Sequence, residues 1–300
     1  MAEDVKFKIL NSEFKIFSNA VLVVAHPGHE LLIHAWLELA QPHILIITDG
    51  SGREGTSRID STVQYLSSLG IQPGTLFGRY SDLQVYERIL TQDFEFFNRL
   101  ADEVCEAIIS KEANYVVADS AEGYNSVHDL CRLLTNCAVL RAQRMTGRRI
   151  ATFEYPVVTG FQNGVPKAVD GELRFLLDQS QFERKLNCAQ KYYGPLIDDV
   201  AVSLSGATDA SHLKQLEFAQ RLATMNQRAG LDLFRTECLQ PVPADSNYRD
   251  LVEPHPYYES RGESRVDAGF YEEVIRYHDH MLPLAESIRR YASKVSAAFA

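Results

Sequence analysis

The 300-residue sequence has no apolar run long enough to cross a membrane; the longest, Ala20–Ala25, has the length of a strand. Its N-terminus alternates charged and apolar residues and carries no continuous signal-peptide core. No membrane association is expected, and the expected compartment is the cytoplasm. Basic charge is in short supply: 30 Lys and Arg against 40 Asp and Glu give a formal charge of −10. That balance speaks against a nucleic-acid partner, whose binding would draw on a basic face. The local cluster of Arg141, Arg144, Arg148 and Arg149 has helical spacing and reads as the solvated face and last turn of a helix. The five cysteines (Cys105, Cys131, Cys137, Cys188, Cys238) form no C-x-x-C pair and read as reduced thiols in or near the core. There is no G-x-G-x-x-G after the first strand, no G-x-S-x-G elbow and no P-loop, which argues against dinucleotide, serine-hydrolase and nucleotide-hydrolysing chemistry. Internal repeats and low-complexity tracts are absent as well.

What the sequence does have, up to about Tyr155, is an alternation of short β-rich runs and helical patterns. The spacing predicts strands at Ala20–Ala25, Ile44–Ile47, Thr75–Phe77 (weakly), Tyr115–Ala118 and Ile150–Tyr155. Between them it predicts helices at Glu30–Leu39, Ser57–Leu69, Gln92–Ser110 and Val127–Met145. This order implies a Rossmann-like, doubly wound and mostly parallel α/β sheet with helices on both faces. Function in such sheets collects at the carboxyl ends of the strands. After Pro156 a hairpin or loop region is expected, then helices at Gln179–Lys191 and near His212–Gln227. Gln240–Arg265, with four prolines, is expected to be extended or looped, and helices are expected at Ala268–Met281 and Leu284–Ala298. The division that follows is an α/β domain over 1–195 and a mainly helical extension over 196–300, serving as a lid or as the contact of a homo-oligomer.

Histidines stand at two of the predicted strand tips. The first strand ends in Ala25-His26-Pro27-Gly28-His29-Glu30, and an H-x-x-H spacing across a strand-to-helix turn lets two imidazoles converge on one ion. A third ligand has to come from another tip, and Tyr115–Ala118 runs into Asp119-Ser120-Ala121-Glu122-Gly123-Tyr124-Asn125-Ser126-Val127-His128. Three protein ligands with an open position make a catalytic zinc arrangement. The bland alternative is a scaffold that keeps these histidines as hydrogen-bonding core residues.

The same residues resemble the N-acetylglucosaminyl deacetylase (PIG-L/LmbE-like) family, whose first strand ends in A-H-P-[DA]-D-E and whose later loop carries H-P-D-H. Ile47-Thr48-Asp49-Gly50 is similar to that family's T-D-G, and Asp178-Gln179-Ser180 with Lys185 through Tyr193 is similar to the helix that follows its sheet. The resemblance runs from about residue 20 to 195. It implies metal ligands at His26, His29 and His128, with zinc or another divalent metal as cofactor. It also implies removal of an N-acyl group from an amino sugar or sugar-linked small molecule.

The departures are specific. The middle ligand is imidazole instead of carboxylate, the family's general base falls on Gly28, the first histidine of H-P-D-H is Asn125, and G-C-G-G is replaced by Ile33-His34-Ala35-Trp36. Three neutral ligands would leave an ion its full charge and acidify its water strongly, reducing the need for a base. Glu122 and Asp119 are then the candidate carboxylate bases, with Asp49 and Asp129 weaker. Asn125 is a candidate hydrogen-bond donor to an oxyanion, and Asp49 and Tyr124 are candidate substrate contacts. Glu30 either orients a ligand histidine or favours the helix start. His34 is expected to partner Glu30, four residues earlier. His278 and His280 are rejected as a chelate on a helix, where i and i+2 diverge. Pro254–Glu259 either lines a sugar site or packs in the core or an interface. Two rival readings remain: a non-catalytic glycan- or protein-binding relative, and a His₃ metal enzyme of other chemistry using iron or copper.

Overall fold

In the computed structural model, residues 19–52, 55–158, 167–205 and 232–294 are described, with side chains omitted at 195–205 and 232–233. The helix expected near His212–Gln227 falls outside them.

The strands are β1 (Ala20–Val24), β2 (His43–Thr48), β3 (Pro73–Tyr80), β4 (Tyr115–Asp119), β5 (Ala151–Tyr155), β6 (Leu173–Leu176) and β7 (Thr236–Pro241). They form one sheet in the order β3-β2-β1-β4-β5-β7-β6. The first five are parallel, and β7 runs antiparallel to both β5 and β6. The helices are α1 (His34–Ala40), α2 (Ile59–Ser68), α3 (Asp82–Leu90), α4 (Phe94–Ser110), α5 (Ser126–Thr146), α6 (Gln179–Ser205), α7 (Asp232–Arg235), α8 (Tyr248–Leu251), α9 (Tyr257–Asp267) and α10 (Leu282–Ser293). This is the doubly wound α/β class expected from the alternation, with a largely helical C-terminal part.

β1 shows why a continuous apolar run suits such a sheet. Val21, Val23 and Ala25 enter the core beneath α4, α5 and α10, while Ala20, Leu22 and Val24 enter the core beneath α1, α2 and α6. Both faces are covered, so alternation with polar residues would have buried them. The chain winds from β1 outward to β2 and β3, then returns to β4 and winds the other way. β1 and β4 are therefore neighbours whose following loops diverge, and a crevice opens at their carboxyl ends.

Several expectations are corrected. Glu30–Leu39 is not one helix: a 3-10 turn over His29–Ile33 precedes α1. β3 is a full strand of eight residues. α3 was unforeseen, although Ser81 and Gln84 form a reciprocal capping box at its start. The edge strands β6 and β7 were unforeseen too, and β7, well past residue 195, sits inside the same sheet between β5 and β6. Part of the stretch expected to be extended is helix α9. The segment before α10 is only a π turn over Tyr277–Met281. Helix spacing therefore does not decide the His278 and His280 question, but His280 Nδ1 already accepts from the Arg276 amide at 2.9 Å.

The arginine cluster has a packing role. Arg141 donates to the carbonyls of Tyr291 and Lys294 and pairs with Asp102, and Arg144 donates to Ala292 O. Together they hold the C-terminal end of α10, where a helix carries partial negative charge. Among the described residues no helix is long and apolar enough to cross a membrane.

Candidate metal centre at the switch point

His26 and His29 leave the tip of β1, and His128 lies in the first turn of α5, just past the tip of β4. The three rings meet. Their centroids are 5.3 Å apart for His26–His29, 5.2 Å for His26–His128 and 4.6 Å for His29–His128, all edge-on. A tetrahedral ion about 2.0–2.1 Å from each donor nitrogen, with each ring centre roughly 1.1 Å farther out, would set such centroids about 5 Å apart. The trio has that spacing. Among the described residues, however, no group of three or more His, Cys, Asp or Glu side chains is arranged so that it could hold a metal ion as it stands.

Each β1-tip imidazole is held by its other nitrogen. His26 Nδ1 is 2.7 Å from Thr48 Oγ1, whose hydroxyl in turn donates to Ala25 O at 3.1 Å. The hydroxyl hydrogen being committed, Nδ1–H must donate, and Nε2 carries the lone pair. His29 Nδ1 is 2.7 Å from Asp119 Oδ2, which assigns its proton in the same way. Asp119 is fully enclosed: Oδ2 also accepts from the Ala25 amide and Oδ1 from the Tyr155 hydroxyl, both at 2.8 Å. Although burial pushes its pKa up, the His29 ring and these donors hold Asp119 below its ordinary value. Asp82 Oδ1 stands 2.9 Å from His26 Nδ1 without the alignment of a hydrogen bond. Against burial, His26 holds that carboxyl well below the usual range.

The orphaned atoms are informative. Of nine buried side-chain polar atoms without a hydrogen bond among the described residues, four surround the trio: His26 Nε2, His128 Nδ1, Asp82 Oδ1 and Arg58 Nε. Burial first, then the electrostatic influence of the neighbouring His29, His26, Arg261 and Arg58, pushes the His128 pKa well below its ordinary value. Its ring is therefore neutral, as a metal ligand must be. The rings of His26 and His29 are anchored from behind by a hydroxyl and a carboxylate, and the two enclosed nitrogens without a protein partner, on His26 and His128, are donors of the kind a divalent transition metal takes.

The other candidate residues take these places. Glu122 Oε2 accepts from the amides of Val157 and Val158, at 3.1 and 2.9 Å. Asn125 caps α5, its Oδ1 accepting from the Val127 amide, which leaves the amide nitrogen as its donor end. Asp49 accepts from the Ser51 amide in a turn. Tyr124 stacks on Tyr257 with centroids 4.9 Å apart. Asp129 is buried and accepts from the amides of Glu122 and Gly123 and from the Tyr248 hydroxyl. Burial pushes its pKa up to about 7. Gly28 has φ +106, a left-handed conformation that favours glycine, so this backbone disfavours the aspartate that the resemblance would put there.

Among the described residues no hydrogen bond joins Glu30 to His26, His29 or His128. Glu30 accepts from the Gly28 amide and from the hydroxyls of Thr62 and Tyr193, tying the β1 tip to α2 and α6. His34 pairs with Tyr65 and Glu38 instead of Glu30. Sequence reasoning missed Asp82, Arg58 and Arg261. For Asp82 a signal existed, since Ser81-Asp82-Leu83-Gln84 spells a capping box at a third strand tip. Arg58 packs its guanidinium over Gly50, where an added Cβ would come within 2.6–2.8 Å of Arg58 and Pro27. Arg261 comes from α9, far along the chain, and nothing in its local sequence marks it.

Fold and geometry thus define a doubly wound α/β protein with a histidine trio and enclosed supporting carboxylates at its switch point. No family model matches the chain, and no curated protein matches it. Among solved structures, similar ones include an A40926 pseudoaglycone deacetylase, 16% identical with a TM-score of 0.46, covering 75% of this chain and 96% of that one. The zinc-inhibited form of a teicoplanin deacetylase is 13% identical with a TM-score of 0.43, covering 74% and 97%. A conserved protein from Thermus thermophilus is 14% identical with a TM-score of 0.43, covering 75% and 95%.

Proposed function

We propose that the chain is a metal-dependent hydrolase that removes an N-acyl group, such as acetyl, from an amino sugar or sugar-linked small molecule. One observation carries the reading: three imidazoles from two separate strand tips stand 4.6–5.3 Å apart, with buried nitrogens of His26 and His128 lacking any partner. The substrate class rests on the resemblance in the A-H-P, T-D-G and later-loop segments.

His26, His29 and His128 would hold the ion, zinc being the first choice for three imidazoles. When bound, it would supply Lewis acidity toward an acyl carbonyl and acidify the attacking water. Asp119 acts through His29, fixing its tautomer and orientation; buried, with three protein donors on its two oxygens, it is a positioning residue and not the base. Thr48 does the same for His26. The Asn125 amide nitrogen is the donor available at the β4 tip for a developing oxyanion. Glu122 is the carboxylate assigned to proton transfer, and Asp49 and Tyr124 are assigned to substrate contact.

Elemental analysis of purified protein beside His26→Ala tests the centre. Zinc near one equivalent in the wild type and little in the variant is expected; equal metal in both would overturn the ligand assignment. Amine release from a panel of N-acetylated sugars tests the reaction, and none from zinc-loaded protein would overturn the hydrolase reading. Full activity in Glu122→Gln would remove Glu122 as the base.

A further inference from the structure

The C-terminal segment delivers a cation to the mouth of this crevice. α9 docks on the loop between β4 and α5: the Tyr258 amide donates to Gly123 O at 3.1 Å. A Cβ at Gly123 would come within 2.9 Å of Pro256 and 3.0 Å of Val252, so close approach of the two segments requires that glycine. Tyr257 and Arg261, four residues apart, share one face of α9. Both reach the loop at the same residue. Tyr257, 53% exposed, stacks on Tyr124, and the Arg261 guanidinium lies 5.4 Å from the Tyr124 ring centre.

The acids that might have neutralised Arg261 on its own helix are engaged elsewhere. Glu263 pairs with Arg276, and Glu259 accepts from the Tyr277 amide and lies 3.9 Å from the same Arg276. Among the described residues Arg261 makes no hydrogen bond or ion pair, only its contact with the Tyr124 ring. Its paired N–H donors are therefore left for an anion, against the same loop that leads into His128.

We infer that Arg261, with the stacked Tyr124–Tyr257 pair, forms a subsite for a carboxylate or phosphate on the amine-bearing part of the substrate. The ring of that part lies against the exposed tyrosine, and its anionic group takes the paired N–H donors of the guanidinium. The inference rests on the hydrolase reading for the word substrate, but the subsite itself is a matter of binding.

The test uses full-length zinc-loaded protein and three probes: N-acetylglucosamine, its 6-phosphate, and N-acetylmuramic acid as the carboxylate. Amine release gives kcat/KM, and calorimetric titration gives affinity. At least one anionic probe is expected to exceed the neutral one by about tenfold or more. Which anionic probe wins separates phosphate from carboxylate. Arg261→Ala should collapse the anionic-to-neutral ratio toward one, mainly through KM, and Arg261→Lys should restore part of it. Arg265→Ala removes the same charge one turn onward and should leave the ratio at its wild-type value. Equal affinity of the wild type for all three probes would overturn the subsite, as would equal losses in Arg261→Ala and Arg265→Ala. Arg261-dependent affinity for an anionic probe without amine release would uphold the subsite and remove the hydrolase.

Discussion

The Lys185–Glu237 pair and the histidine trio are both polar clusters enclosed by apolar residues, but they close their hydrogen bonds differently. Lys185 Nζ meets Glu237 Oε1 at 2.9 Å and Leu32 O at 2.7 Å, while Glu237 accepts from the Ala35 and Trp36 amides at 3.0 and 3.1 Å. That carboxylate sits at the start of α1, where orphan amides and partial positive charge favour an anion. The cluster leaves no buried atom unpaired, and it joins α6, β7 and α1. The trio does the reverse: the rings of His26 and His29 are secured from behind, and enclosed nitrogens of His26 and His128 have no hydrogen-bond partner among the described residues. Since buried polar atoms in folded proteins are almost always paired, the first pattern belongs to holding the fold, and the second is the one on which the proposed metal centre rests.

The comparison breaks most visibly at the metal. Stripping the protein with a chelator should abolish amine release, by on the order of a thousandfold or more, and zinc should restore it. Melting temperature should fall only by the binding energy of the ion, which depends on its free concentration. If stripped protein stayed fully active, the orphaned nitrogens would be mere packing defects.

Next in size is the closed cluster. Glu237→Ala leaves the Lys185 ammonium buried without its partner and strips two amides of their acceptor. A loss of about 3–5 kcal/mol in denaturant unfolding is expected, with metal content per folded molecule unchanged. Neutral stability together with lost zinc would exchange the roles assigned to the two clusters. Between them stands Asp119, which lies beside His29 but is held by three protein donors like a structural group. Asp119→Asn should weaken metal affinity roughly 10–100-fold through misorientation of His29, read by competition with a chromogenic chelator. An unchanged affinity would make Asp119 part of the scaffold only.

Legibility in the sequence followed the range of the interactions. Ala20–Ala25 announces a strand covered on both faces because periodicity and burial are local matters, and the five parallel strands follow from five such runs. His26, His29 and His128 were visible because strand tips are where a doubly wound sheet gathers its site. What holds them was not: Asp119 was read as a candidate base, Thr48 only as part of T-D-G, and Glu30 was weighed for the role that Asp119 and Thr48 take. Asp82 depends on β3 running to Tyr80 and on a helix start whose capping box was written but not used. β7 pairs with β5 across more than eighty residues, and Glu237 reaches α1 across two hundred. No local pattern encodes such partners. Arg261 reaches the site only because α9 docks on Gly123.

The smallest effect concerns Glu38, which belongs to neither cluster and shows how a half-buried pair behaves. Burial pushes its pKa up, but the bidentate contact from Arg184, at 2.8 Å to each oxygen, and the nearby His34 outweigh it and bring the pKa to about 2. An acid whose folded pKa is lowered stabilises the fold above its unfolded value and loses that contribution as protons are taken up in the folded state. The contribution should therefore be complete above about pH 4.5 and fade as pH falls toward about 2. Arg184 is 48% exposed, so solvent screening reduces the effect to about 1 kcal/mol or less. Comparing wild type with Glu38→Gln by urea unfolding at pH 7 and at the lowest pH where both fold should show a gap at pH 7 that narrows in acid and in high salt. A gap that widened in acid would mean that the Arg184 contact does not govern this carboxylate.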